Sequence, residues 1–123
     1  MYHYQKVQKG LFPVEVIHMG KSVKLIAFYD SGNNLKDPYT GKSVHIISAK
    51  QIEQIMSEDT KTVWIPYQSL GNTSGLLKVC YIENMKIWKK QKLIEIQDVA
   101  LGIAEEALLA GKPYEMILNE DVW

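Results

Sequence analysis

The stretch FYDSGNNLKDPYTGKSVHII, residues 28–47, runs an apolar strand into Asp30-Ser31-Gly32 and resumes as an apolar strand past Pro38 and Gly41. Asp, Ser and Gly are what a surface turn selects, because Asp and Ser hydrogen-bond locally and Gly relaxes the backbone. An Asp held between a strand end and a glycine turn is therefore either hairpin punctuation or half of an acid-protease active site. Average residue usage puts such a tripeptide by chance in about one chain in twenty of this length. Taken alone, the tripeptide favours the turn.

The chemistry nevertheless fits the second reading. An aspartic protease cleaves a peptide bond with two carboxylates that share a proton, one activating water while the other polarises the carbonyl. Each carboxylate needs a fixed loop that a second loop can approach closely. A small hydroxyl residue supplies a hydrogen bond within that loop, and glycine keeps side chains out of the way. The apolar run Leu25 to Tyr29 would bury the base of such a site and raise the upper apparent pKa of the pair.

Outward from this stretch the chain reads mostly as strands. VEVIHMGKSVKLIAFYD is a hairpin, with Val14 and Val16, then Val23 and Leu25, alternating on either side of Met19-Gly20-Lys21-Ser22. Ser43 to Ser48 is a strand, and AKQIEQIMSED places Ile52, Ile55 and Met56 at helical spacing. Thr62 to Pro66 is a strand that Pro66 either ends or confines to an edge. QSLGNTSG, residues 68–75, is a loop or hairpin tip. LLKVCYI and KLIEIQ are two strands separated by NMKIWKK, Ala104 to Ala110 favours a helix stopped by Gly111, and YEMIL is a last strand. The sum is a small, mainly β domain with one or two short helices.

Composition narrows the function classes. At 123 residues, 46% hydrophobic and 23% charged, residues 1–123 suit one soluble domain rather than two. Lysine plus arginine equal aspartate plus glutamate at 14 each, which leaves no basic field for a nucleic-acid backbone. No apolar run approaches the ~20 residues of a spanning helix, and MYHYQKVQKG lacks a signal-peptide core. Cys80, the single cysteine, sits among apolar neighbours as a small buried hydrophobe and fits a reducing compartment. His3, His18 and His45 lack metal-ligand spacing, so neither a metal nor another cofactor is expected.

The longer pattern Asp30-Ser31-Gly32-Asn33, Leu35, Asp37-Pro38 and Val44 resembles the active-site segment of the sporulation sigma-E factor-processing peptidases, membrane-anchored aspartic proteases of endospore-forming Firmicutes. IPYQSLG at 65–71 with Gly75-Leu76-Leu77 is similar to a second block of that family, and Val99-Ala100-Leu101 and YEMILNEDVW at 114–123 to its C-terminal end. The ordered blocks extend over the chain from about Val14. The resemblance implies a retroviral-protease-like β-barrel with Asp30 as the catalytic carboxylate. It implies loop support from Ser31, Gly32 and Asn33, and a flap around Ser69, Gly71 and Gly75. It further implies a pro-sigma factor as substrate, an activating signalling protein, and the cytoplasmic side of the mother-cell membrane at the sporulation septum. Family members carry a multi-spanning membrane region ahead of the protease domain. This sequence holds no such segment, and reads as an excised catalytic domain or a free-standing relative whose link to a membrane lies elsewhere.

One Asp-Ser-Gly occurs, the other aspartates reading Asp37-Pro38, Asp59-Thr60-Lys61, Asp98-Val99 and Asp121-Val122. A two-carboxylate site on this chain therefore requires a symmetric homodimer with one Asp30 from each copy. Asp37-Pro38 reads as a turn device. Val99-Ala100-Leu101-Gly102 resembles the hydrophobic-Gly stretch beneath the catalytic loop of acid proteases, or else begins the helix after it. The alternative function is a protease-shaped binding or scaffold domain with a silent Asp30 loop.

Overall fold

The computed structural model describes residues 10–68 and 74–123. The hairpin β1 (Leu11–His18) and β2 (Lys21–Tyr29) pairs Leu11 opposite Phe28 through to His18 opposite Lys21. Its connection is two residues long, with Met19 at φ 52° and Gly20 at φ 80°. Two successive left-handed residues match the twist of the flanking strands. Val14, Val16, Val23, Leu25 and Ala27 all face one core.

β3 (Val44–Ser48) follows the quoted loop and passes into α1 (Ala49–Ile52), where the Ser48 hydroxyl caps the helix by accepting from the Gln51 amide at 3.3 Å. The helix expected over AKQIEQIMSED is thus a single turn, although Ile52 and Ile55 are buried as their spacing predicted. β4 (Thr62–Gln68), β5 (Ser74–Lys89), β6 (Lys92–Ala104), α2 (Glu106–Leu109) and β7 (Met116–Leu118) complete the elements.

The strands lie in the order β1-β2-β7-β3-β6-β5-β4, and β1 also pairs with β5. Six strands therefore close on themselves, and β4 pairs with the first half of β5, ahead of the stretch Asn84–Ile87 that β1 takes. Closure removes the unpaired edges that an open sheet would present. Pro66 lies in β4, the strand with an open side, where its missing amide hydrogen leaves no gap in a ladder. The architecture is the mainly β, acid-protease-like barrel with two short helices that the sequence led us to expect.

The expected break between the two later strands is corrected. NMKIWKK does not separate strands but belongs to the 16-residue β5. The cause is a change of phase. β5 sends Cys80 and Ile82 into the main core and then Met85 and Ile87, while β6 sends Ile94 and Ile96 and then Val99 and Leu101. Both strands switch faces at the same level, where the ladder passes from Ile82 opposite Val99 to Asn84 opposite Gln97. Asp98, at that switch, takes a left-handed φ of 55°. A window reading of alternation sees a break there, whereas the chain makes a corner.

Val99 to Gly102, left open by the sequence between a hydrophobic-Gly stretch and the first turn of a helix, lie in β6. Gly102 pairs with Ile46 of β3 on one side and Val79 of β5 on the other. A Cβ there would stand 2.6 Å from Leu77 Cδ2 and 3.0 Å from Ile46 Cδ1, so any larger residue has to push the tips of those side chains aside. α2 is shorter than expected, and Gly111, at φ 75°, follows it. Cys80 is fully buried and its thiol is pushed up to about 12 by that burial, which leaves it inert as expected. No helix of the described residues is long and apolar enough to cross a membrane.

Candidate active site

Asp30 immediately follows β2, at the point where the parallel pairing of β2 with β7 ends at Tyr29 opposite Leu118. The turn closes when the Asn33 amide donates to the Asp30 carbonyl at 3.0 Å. Within it the Gly32 amide donates to Asp30 Oδ1 at 2.8 Å, so the backbone itself aims the carboxylate. A Cβ at Gly32 would stand 3.2 Å from that same oxygen, which makes glycine the residue that leaves the carboxylate uncrowded. Asp30 is half-buried, while Ser31 and Gly32 are exposed. The expected hydrogen bond from Ser31 is not formed among the described residues; the Gly32 amide orients the carboxylate instead.

Asn33 does tie the loop to its neighbour. Its side chain donates to the Val44 carbonyl at 3.3 Å and accepts from the Leu35 amide at 3.3 Å, while its own carbonyl accepts from the Glu120 amide at 2.8 Å. The Tyr29 hydroxyl donates to the Glu120 carbonyl at 3.0 Å. Asn119, fully buried, donates from Nδ2 to the carbonyls of Leu35 at 2.8 Å and Val44 at 3.3 Å. Its backbone amide donates to His45 Nδ1 at 2.9 Å. His45 is buried and burial lowers its pKa to about 4, so the ring is neutral and free to accept on that nitrogen.

Asp37 is a turn device, as expected. Its buried carboxylate accepts from the Tyr39 amide and the Thr40 hydroxyl, each at 2.8 Å, and from the Tyr81 hydroxyl. Burial pushes its pKa upward, but the hydrogen bonds from Tyr81, Tyr39 and Thr40 outweigh this and hold it below the usual carboxylate range. The same burial, together with the adjacent Asp37, raises Tyr81 to about 12. A groove of about 590 Å³ runs beside this turn between Tyr39, Lys61, Tyr81 and Asp98, and Asp30 forms no part of its wall. Among the described residues no group of histidine, cysteine and carboxylate side chains is arranged to hold a metal.

Of the expected flap residues, Ser69 and Gly71 lie outside the described residues. Gly75 is an exposed residue of β5 opposite Tyr67, near the end of the β4–β5 hairpin. His45, Tyr29 and Asn119 were not singled out for the site in the sequence. Asn119 stood there only inside the C-terminal block, with no periodicity or spacing to mark it.

Residues 1–122 match the family described as sporulation factor SpoIIGA, a peptidase family. The chain belongs to that family. A sporulation sigma-E factor-processing peptidase of Priestia megaterium is 28% identical over 131 aligned positions, covering 89% of this chain and 43% of the relative. A probable sporulation sigma-E factor-processing peptidase of Clostridium acetobutylicum is 21% identical over 112 positions, covering 91% of this chain and 42% of the relative. The chain thus spans less than half the length of the curated relatives it matches. No solved structure matches it. The SpoIIGA match takes in the Asp30 loop, the β4–β5 hairpin and the Asn119 segment together.

Proposed function

We propose that residues 1–123 form one aspartic protease domain, acting as a symmetric homodimer with Asp30 from each copy and removing the pro-segment of a sporulation sigma factor. The observation that carries this reading is the Asp30 loop itself: a carboxylate aimed by the Gly32 amide at 2.8 Å, on a turn whose next two residues are exposed. Two such loops meeting across a two-fold axis would bring the carboxylates within reach of one water. The pair would share one proton because like charges at that distance cannot both ionise. The exposed Ser31 hydroxyl would then find its partner on the second copy, and the β4–β5 hairpin, with Ser69, Gly71 and Gly75, would close over the substrate.

The names of the relatives support a sigma-E precursor as substrate. The cut would fall on the cytoplasmic side of the sporulation septum membrane, as the resemblance implies. A signalling protein that favours pairing of two copies would switch the enzyme on, since each chain alone holds half the dyad. The test is cleavage of a sigma-E precursor by Asp30→Asn and Asp30→Ala. Both abolish turnover and leave the melting temperature within a few degrees, because the position lies on an open turn. Wild-type turnover in either variant would remove Asp30 from the mechanism, whereas no cleavage by the wild type itself would leave the silent scaffold domain as the reading.

A further inference from the structure

The turn that aims Asp30 has no packing of its own: Ser31 and Gly32 are exposed, and the turn is fastened at its downstream end. That fastening comes from the far end of the chain. Glu120 donates to the Asn33 carbonyl, and Asn119 spans the gap between the loop carbonyl of Leu35 and the β3 carbonyl of Val44. Val44 receives the side chains of both Asn33 and Asn119, each at 3.3 Å. One β3 carbonyl is thus the common anchor of the catalytic turn and the C-terminal segment.

The chemistry of position 119 admits asparagine specifically. Nδ2 faces two carbonyls, and Oδ1 accepts from the Asp121 amide at 3.0 Å, so the orientation of the amide is fixed by its partners. Aspartate would set a carboxylate against two carbonyl oxygens. Leucine, of similar volume, would remove one donor from each oxygen, and with it the link between the loop and the C-terminal segment, although Leu35 would still accept from the Val44 amide and Val44 from the Asn33 side chain. Behind Asn119, His45 holds its backbone in register from β3, and Trp123 closes the segment by stacking on Tyr29 with ring centres 5.4 Å apart. Lys36 and Asp121 pair at 2.6 Å across the same junction, but both are half-exposed and the pair contributes little.

We propose that Asn119 is a positioning residue for the Asp30 carboxylate, acting through Leu35 and Val44 on the Asn33 end of the turn. This rests on the dyad reading, in which two carboxylates must approach across an axis and a misplacement of ~1 Å costs on the order of a hundredfold in rate. A residue that merely fills a buried hole would affect stability throughout the molecule. A positioning residue affects the turn and the chemistry, and leaves substrate binding in place.

The experiment compares Asn119→Ala and Asn119→Ser with the wild type in the complete protein, with sigma-E precursor as substrate and Asp30→Asn as a parallel control. Expected in Asn119→Ala are a kcat lowered ten- to a hundredfold with KM within twofold, and amide exchange of Gly32 to Leu35 accelerated at least tenfold while Val14 and Val16 keep their protection. The two limbs of the pH–rate profile should also move towards each other, since carboxylates held further apart couple less. Asn119→Ser, which keeps one short donor, should fall between. Unchanged exchange at Gly32 to Leu35 in either folded variant overturns the proposal, as does uniform acceleration at every amide. If both variants fail to fold, wild-type exchange decides: Asn33, Asn119 and Glu120 should open together as one unit, and independent opening overturns it. Cleavage by Asp30→Asn would instead sink the dyad reading, while the exchange data would still report whether Asn119 holds the turn.

Discussion

Asp30 and His45 show how differently the chain treats two titratable groups near one site. Asp30 is left half-open, aimed by a single amide. His45 is buried, accepts from Asn119, and is held neutral by that burial, its pKa lowered from 6.5 to about 4. Below pH 6.5 the unfolded chain takes up a proton that the folded chain refuses, so stability present above pH 6.5 is lost as pH falls towards 4. The loss attributable to this ring is on the order of 3 kcal/mol. Thermal melts between pH 7 and pH 4 should show that decline, and His45→Asn, whose Oδ1 takes the place of Nδ1 as acceptor for the Asn119 amide, should flatten it. An unaltered slope would mean that other groups carry the pH dependence. Tyr81→Phe removes one of three donors to buried Asp37 and should cost about 1–3 kcal/mol by urea denaturation.

Among the elements, β5 and β6 carry the main lesson about alternation. Their inward residues change parity at Glu83 and Asp98, which divided one long hairpin into apparent fragments in the sequence. The β1–β2 hairpin keeps one phase throughout, and was legible from Val14 to Leu25 together with its Met19-Gly20 turn. Gly102 marks where β6 runs between β3 and β5, with no room for a Cβ beside Leu77 and Ile46. Gly102→Ala should destabilise by about 1–3 kcal/mol, read from the urea midpoint. A midpoint equal to that of the wild type would show that the tips of Leu77 and Ile46 repack without cost.

For the molecule as a whole, the closed six-stranded barrel places one Asp-Ser-Gly turn at its surface, and the proposed chemistry needs two. Specific activity should therefore rise with protein concentration until dimers saturate. Mixing wild type with excess Asp30→Asn should suppress cleavage below simple dilution, because mixed dimers hold one carboxylate. Activity strictly proportional to concentration, and insensitive to the added variant, would place the complete site within one chain.

The sequence by itself determined the strand-rich class, the β1–β2 hairpin, the inert burial of Cys80, the edge position open to Pro66 and the candidate Asp30 turn. Each of these is written in neighbouring residues, where propensity, spacing and turn chemistry act locally. The tertiary structure alone decided that β1 closes on β5, that Val99 to Gly102 is a strand, and that the Asp30 turn is fastened by Asn119 and Glu120. Those outcomes depend on partners distant in the chain, such as Ile87 for Val14, Val44 for Ala100, and Val44 for Asn119 at a separation of 75. Hydrogen bonds of that range leave no periodic trace in either segment, because neither the Asn119 side chain nor the Val44 carbonyl carries any mark of the other within its own stretch.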